Sequence, residues 1–280
     1  MDINQAILYA QLVNAAYAIL PGNTTNAAGQ TITAGAANYQ VVTSIFANDL
    51  STDMNPTRGQ ARVSIGLILQ AATTGDVVIA IRGTEGVQEW IHDADFLLVP
   101  CPFLAGGGHT EDGFTAMYRS MTTTLDPACP SVTRSLATLP FPRPVTSLTI
   151  CGHSLGGALV TLLALDVAAN TAFKKPIVYT YASPRAGGPN FAATYNQVVP
   201  NTFRIASRLD LVPKLPLPPL YEHVLGLNEL NSVKLGLPPK ILIKPELACL
   251  HILTSYLHLL SQQSGGTPLP LQPTCVPGIL

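Results

Sequence analysis

The stretch "TICGHSLGGALVTLLAL", residues 149–165, constrains the fold more than any other part of the chain. Residues 155–169 are apolar nearly all round, interrupted by Thr161 and Asp166. A helix without a polar face has to be buried on all sides. The run before it, "VTSLTIC" (145–151), reads as a strand. The strand passes into the helix through Gly152, His153, Ser154, Leu155 and Gly156, with no room for a long connection. The alternation continues downstream. Strand "PIVYTYAS" (176–183) is followed by a helix near 189–198, and strand "TFRIAS" (202–207) by the proline-rich "LVPKLPLPPL" (211–220). Strands alternating with helices predict parallel βαβ units, hence an α/β fold: a mostly parallel central sheet with helices on both faces.

The rest of the chain extends this sheet. "YQVVTSIF" (39–46) and "RVSIGLILQ" (62–70) are strand-like, and "AATTGD" (71–76) is a turn signal, so 62–70 and "VVIAIRG" (77–83) form a predicted hairpin. Helices are expected at 3–19, 113–125 and 247–260, loop at 22–37, and an irregular tail at 264–280. Prolines exclude a central strand or helix at 211–220, since they remove donors and fix φ. No domain boundary is evident, so residues 1–280 are expected to form one domain.

Composition excludes several function classes. The formal net charge is −1, charged residues make up 11%, and Lys and Arg do not cluster. Nucleic acid and anionic membranes are therefore not expected partners. The longest apolar run is too short to span a bilayer. The start, "MDINQAILYA", lacks a basic leader region, which predicts a cytoplasmic chain or a mature exported form. The five cysteines, 101, 129, 151, 249 and 275, include no C-x-x-C pair. No metal site or cofactor is implied. Cys101 and Cys129 sit beside prolines in loop-like sequence and are the candidate disulfide pair, and Cys151 ends a strand as a buried thiol.

Ser154 has two readings. Serine favours helix N-caps, and Ser154 precedes a helix. The same strand–G-x-S-x-G–helix context is also what an exposed nucleophile needs. The turn is sharp, its glycines let strand and helix approach, and the Leu155 amide faces the place where an oxyanion would form. A serine nucleophile requires a base and an acid that orients it. Two aspartates follow Ser154. Asp166 lies roughly 18 Å along the same helix at 1.5 Å per residue, too far to serve. Asp210 follows a strand, at the sheet edge where ligands gather. Glu222, Glu229 and Glu246 are outside candidates for the acid. His223, His251 and His258 stay open as the base, with His251 expected to open the last helix.

With these residues assembled, the chain resembles the fungal-type, or class 3, lipases of the α/β-hydrolase fold over most of residues 60–260. The resemblance is carried by "VVIAIRGTEGVQEWIHDAD" (77–95), "ICGHSLGGALVTLLALDVA" (150–168), "VYTYASPRAGGPNFA" (178–192), "RIASRLDLVPKLP" (204–216) and "CLHILTSYLHLL" (249–260). It implies a Ser154–His251–Asp210 triad and selects His251 over His258. It further implies oxyanion amides from Thr84 and Leu155, a structural Arg82, and a short lid at 85–93 carrying Trp90 over the active site. The implied activity is hydrolysis of carboxylic esters, foremost triacylglycerols, through an acyl-enzyme and without a cofactor. The implied partner is a lipid or other ester, met at an oil–water interface. A feruloyl or other non-lipid esterase, an acyltransferase and a catalytically idle binding protein are the alternatives. The chain departs from the secreted fungal members in its disulfides and in "PCPFLAGGGHTEDGF" (100–114), longer and more glycine-rich than usual.

Overall fold

The computed structural model describes residues 1–19, 24–48, 62–84, 96–231, 233 and 244–275. The elements, in chain order, are α1 (Ile3–Ile19), β1 (Thr31–Ala34), β2 (Ala37–Asn48), β3 (Arg62–Ala71), β4 (Val77–Ile81), β5 (Leu98–Pro100) and β6 (His109–Glu111). Then come α2 (Asp112–Arg119), α3 (Val132–Ser135), β7 (Leu148–His153), α4 (Leu155–Asn170), β8 (Ile177–Tyr181), α5 (Pro189–Val198), β9 (Thr202–Ser207), β10 (Leu227–Leu230), α6 (Lys244–His251) and α7 (Leu253–Gln263).

Eight strands form one sheet in the order β1-β2-β3-β4-β7-β8-β9-β10. From β4 through β10 all neighbours are parallel, and β1 to β4 form an antiparallel meander. The expected hairpin is β3–β4, with Gln70 opposite Val77. Strand residues alternate between two cores. Ile79, Ile81 and Ile150 point to one face, under α4 and α2, while Val78, Ala80 and Cys151 point to the other, under α1 and α7. The parallel strands are apolar on both faces, as a sheet covered on both sides requires.

α4 is buried from Leu155 to Ala168, as its composition demands. Its one charge, Asp166, is hydrogen-bonded by the Tyr118 hydroxyl, by Thr133 Oγ1 at 2.8 Å and by Asn170 Nδ2 at 2.6 Å. Asp166 is thus a structural carboxylate tying α4 to α2 and α3.

Four expectations are corrected. The 22–37 loop contains β1, which pairs with β2. The helix expected at 113–125 stops at Arg119, because Thr122 is drawn into backbone pairing with Phe46. The last helix is two helices broken at Ile252. The disulfide joins Cys249 to Cys275, leaving Cys101 and Cys129 as free thiols; Cys151 is free and buried, as expected.

Candidate active site

The carboxyl ends of β4, β7 and β9 deliver three of the predicted groups to one edge of the sheet. Ser154 follows β7 with φ 56° and ψ −126°, a conformation costly for a residue with a side chain. The flanking glycines make this turn buildable. A Cβ on Gly152 would lie 2.4 Å from the Gly156 carbonyl oxygen, and one on Gly156 would lie 2.4 Å from that of Ile81. The helix therefore packs against β7 and β4 at backbone distance.

This geometry bears on both readings of Ser154. Its side chain makes no hydrogen bond to the helix it precedes. The hydroxyl instead donates to His251 Nε2 at 2.8 Å. His251 Nδ1 donates to Asp210 Oδ2 at 2.9 Å. All three residues are buried. The carboxylate is fixed from further sides: Tyr256 donates its hydroxyl to Asp210 Oδ2 at 2.7 Å, and the Val212 amide donates to Oδ1 at 3.0 Å. Tyr256 also accepts the Ser207 amide at 2.9 Å. Burial and the adjacent Asp210 carboxylate hold the Tyr256 phenol well above its ordinary range, so it stays a donor.

His251 ends α6 rather than opening a helix. Its carbonyl, which would otherwise continue the helix, accepts from His153 Nε2 at 2.8 Å. That bond fixes the His153 tautomer. With Nε2 protonated, Nδ1 is the acceptor and takes the Tyr17 hydroxyl proton at 2.8 Å. The Tyr17 oxygen in turn accepts the Gly83 amide at 2.7 Å. A hydrogen-bonded chain therefore runs from the turn before Thr84, through α1, to the backbone of His251. Burial, and second the neighbouring His251 ring at 4.9 Å, hold His153 well below the ordinary imidazole range. It therefore stays neutral beside His251. The sequence gives no sign of this link: a histidine next to Ser154 and a tyrosine in an apolar helix do not reveal their partner.

Thr84 follows Gly83, where an added Cβ would lie 2.9 Å from Ser154 Cβ and 3.0 Å from the His153 carbonyl oxygen, so the turn abuts the elbow. Leu155 begins α4, and its amide is among those an α-helix leaves unbonded within its first turn. Arg82 donates to the Ser64 carbonyl at 3.3 Å and to the Gly83 carbonyl at 2.8 Å, bracing the same turn. The lid segment 85–93 and Trp90 lie outside the described residues. The alternative bases are engaged elsewhere: His223 bonds the Pro213 carbonyl and His258 the Leu269 carbonyl. Glu222 and Glu229 are exposed, and the Glu246 side chain lies outside the described residues.

A strained serine on a strand–helix elbow, bonded to a buried histidine and through it to a buried aspartate, defines the serine-hydrolase type of α/β fold. The family model for Lipase (class 3) matches residues 78–219, and the chain belongs to that family. It is 31% identical over 218 residues to phospholipase A1-II 6 of Oryza sativa subsp. japonica, covering 68% of this chain and 52% of that protein. It is 34% identical over 160 residues to the secreted mono- and diacylglycerol lipase A of Penicillium cyclopium, covering 57% of this chain and 49% of that one. The crystal structure of a mutant form of Penicillium cyclopium MDLA matches with a TM-score of 0.65 at 26% identity, covering 82% of this chain and 80% of that one. The chain spans about half the length of these curated relatives.

Proposed function

We propose that the chain is a serine carboxylic ester hydrolase of the lipase kind, working as one α/β-hydrolase domain over residues 1–280. The carrying observation is the Ser154 Oγ–His251 Nε2–Asp210 relay at 2.8 and 2.9 Å on a positive-φ elbow. Ser154 Oγ attacks the ester carbonyl carbon while His251 Nε2 takes its proton. Asp210 holds the Nδ1–H tautomer and stabilises the imidazolium. The Thr84 and Leu155 amides receive the oxyanion, a contribution of about 10²–10³ in rate per donor. His251 then protonates the leaving alcohol, and water, deprotonated by His251, releases the acid from the acyl-Ser154 ester.

The substrate is a lipid ester presented at an interface. Four exposed leucines support this part of the reading: Leu97, Leu211, Leu217 and Leu220, between 48% and 67% exposed. Leu211 directly follows Asp210. Leu97 and Leu220 lie on touching loops, where Tyr221 donates to the Phe96 carbonyl at 2.8 Å. Exposed leucines, one of them next to Asp210, suit contact with a lipid surface. Among the described residues no helix is long and apolar enough to cross a membrane.

The test pairs a variant with a substrate series. Ser154→Ala is expected to abolish ester hydrolysis with the fold intact; near-normal activity overturns the mechanism. With acyl esters of rising chain length, activity is expected to climb once the substrate exceeds its solubility limit. Activity confined to soluble aryl esters overturns the lipid reading in favour of a non-lipid esterase.

A further inference from the structure

The tail of this chain closes on the helix that carries His251. Cys249 and Cys275 form a disulfide across a sequence separation of 26, with Cα atoms 5.4 Å apart. Both cysteines are buried. Cys249 is two positions before His251, in the last turn of α6. At about 100° per residue, positions two apart on a helix point roughly 200° around the axis, to nearly opposite sides. The sulfur therefore holds α6 from the side away from Ser154.

The tail itself is anchored before it reaches Cys275. The Leu269 amide donates to Ser261 Oγ at 2.8 Å, and its carbonyl accepts from His258 Nδ1 at 2.7 Å. Leu269 and Leu271 pack on the core beneath α1 and α7. On the α6 side, Ser255 Oγ donates to the Cys249 carbonyl at 2.6 Å, and Leu250 is buried. α7 thus fixes the tail, and α6 is held from two sides: by the Ser255 bond from α7 and by the tail through one covalent bond.

An eight-residue helix has too few internal hydrogen bonds to hold its own place. His251 must nevertheless satisfy Ser154 and Asp210 at once. A displacement of about 1 Å in such a constellation costs on the order of 10² in rate.

We propose that the Cys249–Cys275 disulfide is a positioning clamp: the C-terminal tail holds α6 through it and keeps His251 in register with Ser154 and Asp210. Opening the bond slows the chemical step without weakening substrate binding. The inference rests on His251 being the base.

The experiment treats the folded protein with a water-soluble trialkylphosphine. Phosphine and water cleave the S–S bond to two thiols and a phosphine oxide. Turnover is followed on a soluble nitrophenyl butyrate, bond opening by mass after alkylation, and packing by near-UV circular dichroism. The expected result is a kcat about tenfold lower, a KM unchanged within about twofold, native dichroism, and recovery on reoxidation. Cys275→Ser is expected to show the same loss and no response to phosphine, while Cys101→Ser and Cys129→Ser keep the wild-type response. Full kcat with the bond open and the fold native overturns the clamp. So does a change in KM alone. Loss of the native dichroism on reduction also overturns it, making the bond a staple of the whole fold. His251→Ala separates this from the underlying reading: if it is inactive while Cys275→Ser is fully active, only the clamp fails. If His251→Ala is fully active, the base assignment fails.

Discussion

Tyr17→Phe removes one oxygen that serves two sides of the site. That oxygen accepts the Gly83 amide at 2.7 Å and donates to His153 Nδ1 at 2.8 Å. Gly83 and His153 are both buried, so each loses a partner that solvent does not readily replace. A buried polar group left unpaired costs about 1–3 kcal/mol, so the two together predict a loss of about 2–6 kcal/mol in stability. Tyr17 is itself only half-buried, and a water entering beside the new ring offsets part of this; the expectation is the lower half, about 2–4 kcal/mol. The kinetic consequence follows from the same bonds. The Gly83–Thr84 turn loosens relative to Ser154 without losing its amides, so kcat should fall by about tenfold, less than the 10²–10³ of a missing oxyanion donor. KM for a short soluble ester should hold, because the bonds lost are to the Gly83 amide and His153 and not to substrate. Urea unfolding gives the first number and initial rates give the second. A variant with the wild-type urea midpoint and full kcat refutes the idea that this chain braces the oxyanion turn.

Three further outcomes are expected. Burial, then Arg204, pushes the His223 imidazole down to about 3 from 6.5. Its unfolded form takes up a proton that the folded form refuses, so stability is complete above pH 6.5 and lost as pH falls towards 3. Between pH 6.5 and 4.5 that loss is about 2–3 kcal/mol, and His223→Gln should remove it; parallel urea midpoints for the two proteins at both pH values contradict this. Between two inactive variants, Ser154→Gly should be more stable than Ser154→Ala by about 1–2 kcal/mol, since only glycine adopts φ 56° without strain, and a more stable alanine variant argues against a strained elbow. Cys275→Ser should lower the unfolding free energy by about 3.5 kcal/mol from loop-closure entropy; a change under about 1 kcal/mol in urea contradicts that.

What the sequence disclosed follows the range of its signals. β3, β4, β7, α4, β8, α5 and β9 are marked by local composition and by turn residues between them, and their burial needs no distant partner to be inferred. Distance along α4 removed Asp166, and the family resemblance then implied Asp210; in the structure Asp210 accepts from His251, Tyr256 and the Val212 amide. β10 was missed because Leu227–Leu230 shows no apolar alternation and pairs only as an edge beside β9. The break at Ile252 carries neither Gly nor Pro; it arises because His153 captures the His251 carbonyl from another part of the fold. Cysteine pairing is likewise a three-dimensional matter. Cys275 reaches Cys249 because Leu269 is held to α7, which loop composition around Cys101 and Cys129 cannot foretell.

The central claim is that Ser154 is a nucleophile activated by His251, and covalent trapping tests it most directly. The protein is incubated with an alkyl phosphonate ester, digested, and the adduct located by mass spectrometry. A single phosphonyl group on Ser154, formed at least about 10³ times more slowly in His251→Ala, is the predicted result. No adduct, an adduct on another residue, or equal labelling without His251 contradicts it.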